Sequence, residues 1–336
     1  MEKRRLGSTD LSLSVLGLGC WQFGGGSYWG KQSQDDVNQV VHQALDGGVN
    51  FFDTAEIYND GESEISLGIA LRGRRNEAII GSKIHPPHMS PDQLRMHCDA
   101  SLKRLQTDYL DLYMVHWPLH PSQNIDFDEA FMTLNQLKQE GKIRHIGLSN
   151  HGTLQLQQVH ATGVPIACNE LAYNLLSRAI ELELMPVCLK QQLGIIAYMP
   201  LQQGILSGKY NRLDEIKPLH ARTRHFHYRS GEGSRHGEAG AETQINMVLQ
   251  QLKAVSAELG VSMATLSLAW VIGNPAVTTT IVGSRNIEQL ETNMQGSHLK
   301  LSPDVMRSLN QMTEPVLVAL GANPDYYESQ DNSRIF

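Results

Sequence analysis

Four ionisable residues are placed to work as one acid–base device. Asp53 and Tyr58 lie in FFDTAEIYNDGESEISLG, Lys83 closes AIIGSK, and His116 falls in LDLYMVHWP. A free phenol has a pKa of about 10 and gives up its proton reluctantly at neutral pH. A neighbouring ammonium stabilises the phenolate, and Lys83 supplies one. Asp53 keeps that ammonium charged and aimed, because an ion pair offsets the cost of burying it. A neutral His116 hydrogen-bonds a carbonyl oxygen and orients it. Together they make a tuned general acid beside an oxyanion site, suited to protonating a carbonyl oxygen as hydride reaches the carbon. No metal and no serine or thiol nucleophile is needed. Each residue alone has a plainer explanation. A lysine or histidine at a strand end is commonly a solvated charge or a satisfied structural group, and Asp-Thr there can cap the next helix. The chemical reading rests on their convergence.

Convergence requires a fold that brings strand ends together. Short β-rich runs at 15–19, 50–54, 78–83, 110–116, 143–149, 166–171, 194–200 and 278–283 alternate with amphipathic helical stretches such as 34–46, 91–105 and 128–140. The runs are nearly continuous and apolar, as expected of parallel strands covered on both faces. Ser90-Pro91 reads as a cap with proline at the first helical position. Asp46-Gly47-Gly48 and Gly141 read as helix stops. Eight strand–helix units in series, roughly thirty residues each, predict an α/β fold, a (β/α)8 TIM barrel filling 1–336 as one domain. Two segments stand outside the repeat. Residues 5–14 read as an N-terminal hairpin, turning at Gly7-Ser8-Thr9-Asp10, that plugs the barrel bottom. Residues 207–241 form a long polar loop after strand 7, before helices resume at 242–259 and 263–272. Chemistry in such barrels sits at the C-terminal strand ends, where Asp53, Lys83 and His116 fall.

The chain also resembles the aldo-keto reductase superfamily over nearly its whole length. The matching segments are LGLGCWQFGG, GVNFFDTAEIYNDGESE, SLKRLQTDYLDLYMVHWP, GKIRHIGLSN, AYMPLQQGILSGKY and IVGSRNIEQLETN. RAIE at 178–181 and the long loop after strand 7 look most like the bacterial and plant-type branches and the potassium-channel β subunits. The resemblance implies metal-free carbonyl reduction with NADPH, or alcohol oxidation with NADP⁺, by a tetrad at Asp53, Tyr58, Lys83 and His116. It implies that Ser149 and Asn150 hold the nicotinamide carboxamide and that Tyr198 stacks on its ring. Pro200, Leu201, Gly204, Leu206 and Lys209 would follow the pyrophosphate, and Gly283, Arg285, Gln289 and Asn293 the adenosine end. Trp21 would lie near cofactor or substrate, and Trp21, Trp29 and Trp117 would form an aromatic substrate wall, unless they only pack. A helix starting near Asn286 offers free amides to a phosphate, and Arg285 a bidentate donor suited to a 2′-phosphate. One position departs from the family pattern: Glu170 stands where glutamine commonly contacts the carboxamide. An ionised glutamate accepts but cannot donate. It either favours the cationic oxidised nicotinamide, or stays protonated or paired with a nearby cation.

Several function classes are disfavoured. Lys and Arg total 28 against 35 Asp and Glu, a net charge of −7, whereas a general nucleic-acid binder needs a basic face. No apolar run spans a bilayer, and no secretory signal is expected at the N-terminus. Cys20, Cys98, Cys168 and Cys188 form no C-x-x-C pair, which suits a reduced, cytoplasmic protein. Cys20 is expected to be buried and inert. The glycines at 17, 19 and 24–26 fail the dinucleotide fingerprint, because Gln22 occupies its sixth position. His85/His88 and His116/His120 have metal-like spacing without a metal-site context, so no metal is expected. Residues 217–237 carry Arg222, Arg224, His225, His227, Arg229, Arg235 and His236. A solvated flap is the preferred reading, with a basic lid over phosphates or an anionic substrate as the alternative. The tail places Tyr326 and Tyr327 where they would touch substrate if it folds over the mouth. The leading function is an NADP-dependent carbonyl reductase or alcohol dehydrogenase acting on a small carbonyl or polyol. The alternative is an NADPH-binding regulatory subunit with vestigial catalysis.

Overall fold

In a computed structural model describing residues 1–336, eight parallel strands close into a barrel. The chain opens with an antiparallel hairpin, β1 (Lys3–Arg5) and β2 (Ser12–Ser14). The barrel strands follow as β3 (Leu16–Gly19), β4 (Phe51–Asp53), β5 (Ile79–Ile84), β6 (Leu110–Val115), β7 (Ile143–Ser149), β8 (Ile166–Ala172), β9 (Gly194–Tyr198) and β10 (Val277–Gly283). Each pairs with its successor, and β10 closes on β3 through Thr280–Leu16 to Gly283–Gly19. The helices are α1 (Gln34–Asp46), α2 (Glu62–Ala70), α3 (Pro91–Leu105), α4 (Phe127–Gln139), α5 (Thr153–Ala161), α6 (Leu184–Lys190), α7 (Glu242–Glu258), α8 (Met263–Gly273), α9 (Ile287–His298) and α10 (Pro303–Leu320). This is the (β/α)8 barrel expected from the alternation of runs.

The apolar strands make two cores. Outward residues of β3 to β10 meet the helices in one large cluster. Inward residues Phe51, Leu112, Met114, Cys168, Ile196 and Ile281 fill the barrel and meet Leu6, Leu11 and Leu13 of the hairpin below. Every residue of β6 is buried, which explains its unbroken hydrophobic run. Ser33, Asp126, Ser262 and Ser302 cap α1, α4, α8 and α10 through side-chain bonds. Ser90 differs from expectation: its backbone is extended, as a cap requires, but its hydroxyl makes no capping bond.

The long loop after β9 is not a solvated flap. Thr223, Arg224, His225 and Phe226 are buried, with His225 fully enclosed. The tail after α10 folds back on them, and its carbonyls need donors. Arg224 donates to the carbonyls of Leu320, Asn323 and Asp325 and pairs with Glu238. Tyr326 stacks on His225, with ring centroids 4.9 Å apart, and its hydroxyl accepts from the Ala179 amide. It is therefore interior and does not reach the mouth, whereas Tyr327 does. The exposed remainder, including Arg229 and Arg235, keeps the polar character the composition implied.

The plug depends on one close approach. Gly7 has φ +53, and a Cβ there would lie 2.5 Å from the Gln192 carbonyl oxygen, 2.6 Å from that of Ala167 and 2.8 Å from the Gly194 nitrogen. All three are backbone atoms that cannot swing away. Gly7→Ala is expected to destabilise the fold by about 2–4 kcal/mol, from unfavourable φ and overpacking together. Thermal unfolding followed by circular dichroism checks this; an unchanged midpoint contradicts it.

Candidate active site

Asp53 ends β4, Lys83 is the penultimate residue of β5, and His116 follows β6. Parallel register sets Asp53 beside Gly81 and Lys83 beside Met114, so all three emerge at one end. Tyr58 arrives on a tight turn, Tyr58–Gly61, in which Asn59 and Asp60 adopt left-handed conformations. The Asn59 amide donates to the carbonyls of Trp21 (3.0 Å) and Phe23 (2.7 Å). This ties the tyrosine turn to the loop after β3.

Lys83 is fully buried. Its ammonium donates to Asp53 Oδ1 and Oδ2 at 2.6 and 2.7 Å and to the Thr54 carbonyl at 3.0 Å, and it lies 3.5 Å from the Tyr58 hydroxyl. Burial alone would strip its proton; Asp53, then Glu170, outweigh that and hold its pKa above the ordinary lysine range. Burial, with Lys83 adding, holds His116 well below the usual imidazole range, so it is neutral. Its ring stands edge-on to Tyr58, 5.6 Å between centroids, and its Nδ1 has no protein partner. Tyr58 differs from the simple expectation. Burial raises its pKa above the ordinary phenol range, and the pull of Lys83 only partly offsets this. The phenol therefore holds its proton, the state a general acid requires.

The remaining expected residues form a floor and a groove. Asn150 donates to the His116 carbonyl (3.1 Å) and to Ser149 Oγ (3.0 Å), and accepts from the Tyr198 hydroxyl (2.8 Å). Ser149 donates to the Glu170 carbonyl. Glu170 places Oε1 3.5 Å from the Lys83 ammonium and leaves Oε2 unpartnered. Both parts of the plainer reading find support: Lys83 is a neighbouring cation, and burial, then Asp53, raise the Glu170 pKa well above the usual carboxylate range and favour its protonated form. A cleft of about 1090 Å³ runs from this floor. It is lined by Trp21, Trp29 and Trp117 at the mouth, by Pro200, Leu201, Gly204 and Lys209 along one side, and by Gly283, Arg285, Gln289 and Asn293 at the far end. Leu206 departs from expectation: it is fully buried in the core behind the groove. Arg285 is not free either. It donates to the Trp29 and Lys31 carbonyls, both at 2.6 Å, and its own carbonyl accepts from Gln32. The guanidinium thus clasps the loop after β3 across the groove. Asn293 donates to Ser284 Oγ, and Gln289 accepts from the Arg285 amide.

Sequence reasoning missed Tyr28, Gln203 and Arg334. Tyr28 stacks on Trp21 at 5.1 Å, donates to Gln203, and meets His220 Nδ1 at 2.8 Å. Arg222 lies over the Tyr28 ring. Gln203 donates to the Tyr327 hydroxyl. Arg334 sits 3.5 Å above the Trp117 ring and pairs with Asp325. These contacts join separate loops and leave no periodic signal. Cys20 lines the cleft, and burial pushes its thiol well up.

His88 comes together with Glu56 and His97 rather than with His85 alone. Both Nδ1 atoms face Glu56, at 2.9 and 2.6 Å. The rings are stacked 3.7 Å apart at 15°, so no single ion lies in both ring planes, where nitrogen lone pairs point. Glu56 also accepts from the His85 amide, so the cluster fastens the segment leading to Tyr58 onto the next loop and α3. His120 is remote and exposed.

A buried lysine–carboxylate pair beside a tyrosine and a neutral histidine, at the open end of such a barrel, defines an oxidoreductase site. The sequence profile of the Aldo/keto reductase family matches residues 15–314, and the chain belongs to that family. Among its relatives, the NADH-specific methylglyoxal reductase of Escherichia coli (strain K12) is 30% identical, covering 94% of this chain and 99% of its own. The Tas protein of the same organism is 32% identical, covering 92% and 96%. An aldo-keto reductase of Klebsiella pneumoniae, solved in complex with NADPH, superposes with a TM-score of 0.74 at 28% identity, covering 94% of this chain and 96% of its own. No single helix is long and apolar enough to cross a membrane.

Lys83→Met strands Asp53 and Glu170 as buried carboxyls without a cation. Breaking such a pair costs about 3–5 kcal/mol. In the variant each carboxyl has a folded pKa above its unfolded one, so stability is lost as pH rises. The deficit in urea unfolding is therefore expected to be larger at about pH 8 than at about pH 5. A deficit that shrinks on raising the pH refutes this account.

Proposed function

We propose that the protein is an NADP(H)-dependent oxidoreductase that moves hydride between nicotinamide C4 and a carbonyl carbon. The substrate is an aldehyde or ketone, or the corresponding alcohol or sugar, and Tyr58 exchanges the proton on its oxygen. The observation that carries this reading is the Lys83 ammonium, locked to both oxygens of Asp53 and 3.5 Å from the Tyr58 hydroxyl, beside a neutral His116 at the head of the cleft. The whole chain acts as one barrel domain.

The cleft suits the cofactor. Ser149, Asn150 and Glu170 offer polar groups at its floor beside the Tyr198 ring, and Lys209 adds a cation along the side. The first turn of α9, after the Asn286 cap, offers free amides to a phosphate. Pro200, Leu201 and Gly204 would border the pyrophosphate, and Gly283, Arg285, Gln289 and Asn293 the adenosine. When bound, the cofactor supplies or accepts the hydride. His116 orients the substrate oxygen, Tyr58 donates or takes its proton, and Lys83, held by Asp53, stabilises the phenolate formed when Tyr58 has given its proton away.

NADP(H) is favoured by Lys209 and Arg285, and by the NADPH held by the Klebsiella relative. The Escherichia coli relative named NADH-specific makes cofactor choice a point for measurement. The Arg285 clasp to Trp29 and Lys31 must share its donors with a 2′-phosphate for the preference to arise. Trp21, Trp29 and Trp117 would wall a small carbonyl or polyol substrate. The four unpaired, buried cysteines suit a reducing, cytoplasmic setting.

Tyr58→Phe is expected to lower kcat by about 10²–10⁴-fold while leaving cofactor affinity unchanged. NADPH absorbance decay with a panel of aldehydes, alongside fluorescence titration of NADPH, measures both. Undiminished kcat removes Tyr58 from its role. Tight NADPH binding by the wild type without turnover of any carbonyl favours the regulatory-subunit reading instead.

A further inference from the structure

The cleft floor holds more carboxylate than the acid–base device uses. Asp53 alone engages Lys83 with both oxygens, at 2.6 and 2.7 Å. Glu170 on β8 is a second acid, only 3% exposed. Its Oε1 stands 3.5 Å from the same ammonium, and its Oε2 has no partner although the residue lines the cleft. The ionisable groups around it are Asp53 from β4, Lys83 from β5, Tyr58 from its turn, Tyr198 from β9 and Cys168 two residues back. Lys83 is the only cation among them. One ammonium cannot balance two carboxylates, so when Glu170 ionises the floor carries a net negative charge. A buried carboxylate oxygen without a partner is costly; an incoming positive charge relieves it.

We propose that Glu170 makes this protein hold the oxidised, cationic nicotinamide in preference to the reduced, neutral one. The same preference stabilises the cationic ring left when hydride departs, so within the site it favours giving hydride to a carbonyl over taking it from an alcohol. The inference rests on the nicotinamide reading above. In that direction the carbonyl carbon receives hydride, with its electron pair, from the reduced ring; its oxygen takes the Tyr58 proton, and an alcohol, the oxidised ring and a phenolate beside Lys83 remain. The two cofactor forms differ chiefly by one unit of charge on the ring, and an anionic carboxylate reads that difference. Proton linkage adds a second signature. Burial, then Asp53, raises the Glu170 pKa, with Lys83 opposing. A cationic ring arriving beside it favours ionisation. Binding the oxidised form therefore releases a proton and tightens as pH rises, until Glu170 is already ionised in the free protein. Binding the neutral reduced form releases none from this group.

The test is to measure dissociation constants for NADP⁺ and NADPH by equilibrium dialysis, in the wild type and in Glu170→Gln, from about pH 6 to about pH 9. The expected result is a ratio of reduced to oxidised constants about tenfold higher in the wild type. That ratio should climb with pH in the wild type and stay flat in the variant. Equal ratios in both proteins, with both forms bound, overturn the inference and leave the oxidoreductase reading standing. No binding of either form by the wild type overturns both. If Glu170→Gln does not fold, the wild-type pH series decides, and a pH-independent ratio overturns the proposal.

Discussion

A lysine ammonium with no exposure to water is the constraint around which the upper half of the barrel is arranged. An isolated ammonium in such a place would lose its proton. Here the Asp53 carboxylate lies across it, and the Thr54 carbonyl supplies a further acceptor. That pair requires β4 and β5 to be neighbours in parallel register. It also requires the turn after β4 to bring Tyr58 back over the ammonium, which the left-handed Asn59 and Asp60 accomplish. A charge that is unstable alone thus specifies which strand ends must meet.

The same charge orders its surroundings electrostatically. His116 is kept neutral by burial, with Lys83 adding to the effect, so it acts as a dipole rather than a cation. The phenol of Tyr58 feels burial more strongly than the nearby ammonium, so it keeps its proton. Under the proposed function, two opposite tasks, holding a proton and releasing it easily, are reconciled by timing. A substrate oxygen that gains negative charge becomes a better acceptor only as the reaction proceeds, and the ammonium then stabilises the phenolate left behind.

Much of this was legible in the amino-acid sequence. The run at 143–149 is β7 to the residue, and 34–46 and 91–105 are α1 and α3, because a strand covered on both faces and an amphipathic helix each impose a period. Asp53, Lys83 and His116 were recognisable because they are charged or polar groups at the ends of apolar runs. What stayed hidden has no period. Thr223 to Phe226 are buried only because the tail covers them, and polar composition reads as exposed until the covering segment is known. Tyr28, Gln203 and Arg334 meet partners from distant loops. Arg285 looked like an open phosphate ligand, since nothing in the order of residues reveals that two carbonyls of the first loop occupy its donors. Leu206 carried the family pattern, yet its side chain turns into the core.

That occupied arginine has a consequence for the order of events. With Arg285 joined to Trp29 and Lys31, the first loop bridges the far half of the groove while the end near Tyr58 stays open. A small molecule can come and go through the open end. A long one lying beneath the bridge must wait for the latch to spring, so it should arrive first and depart last.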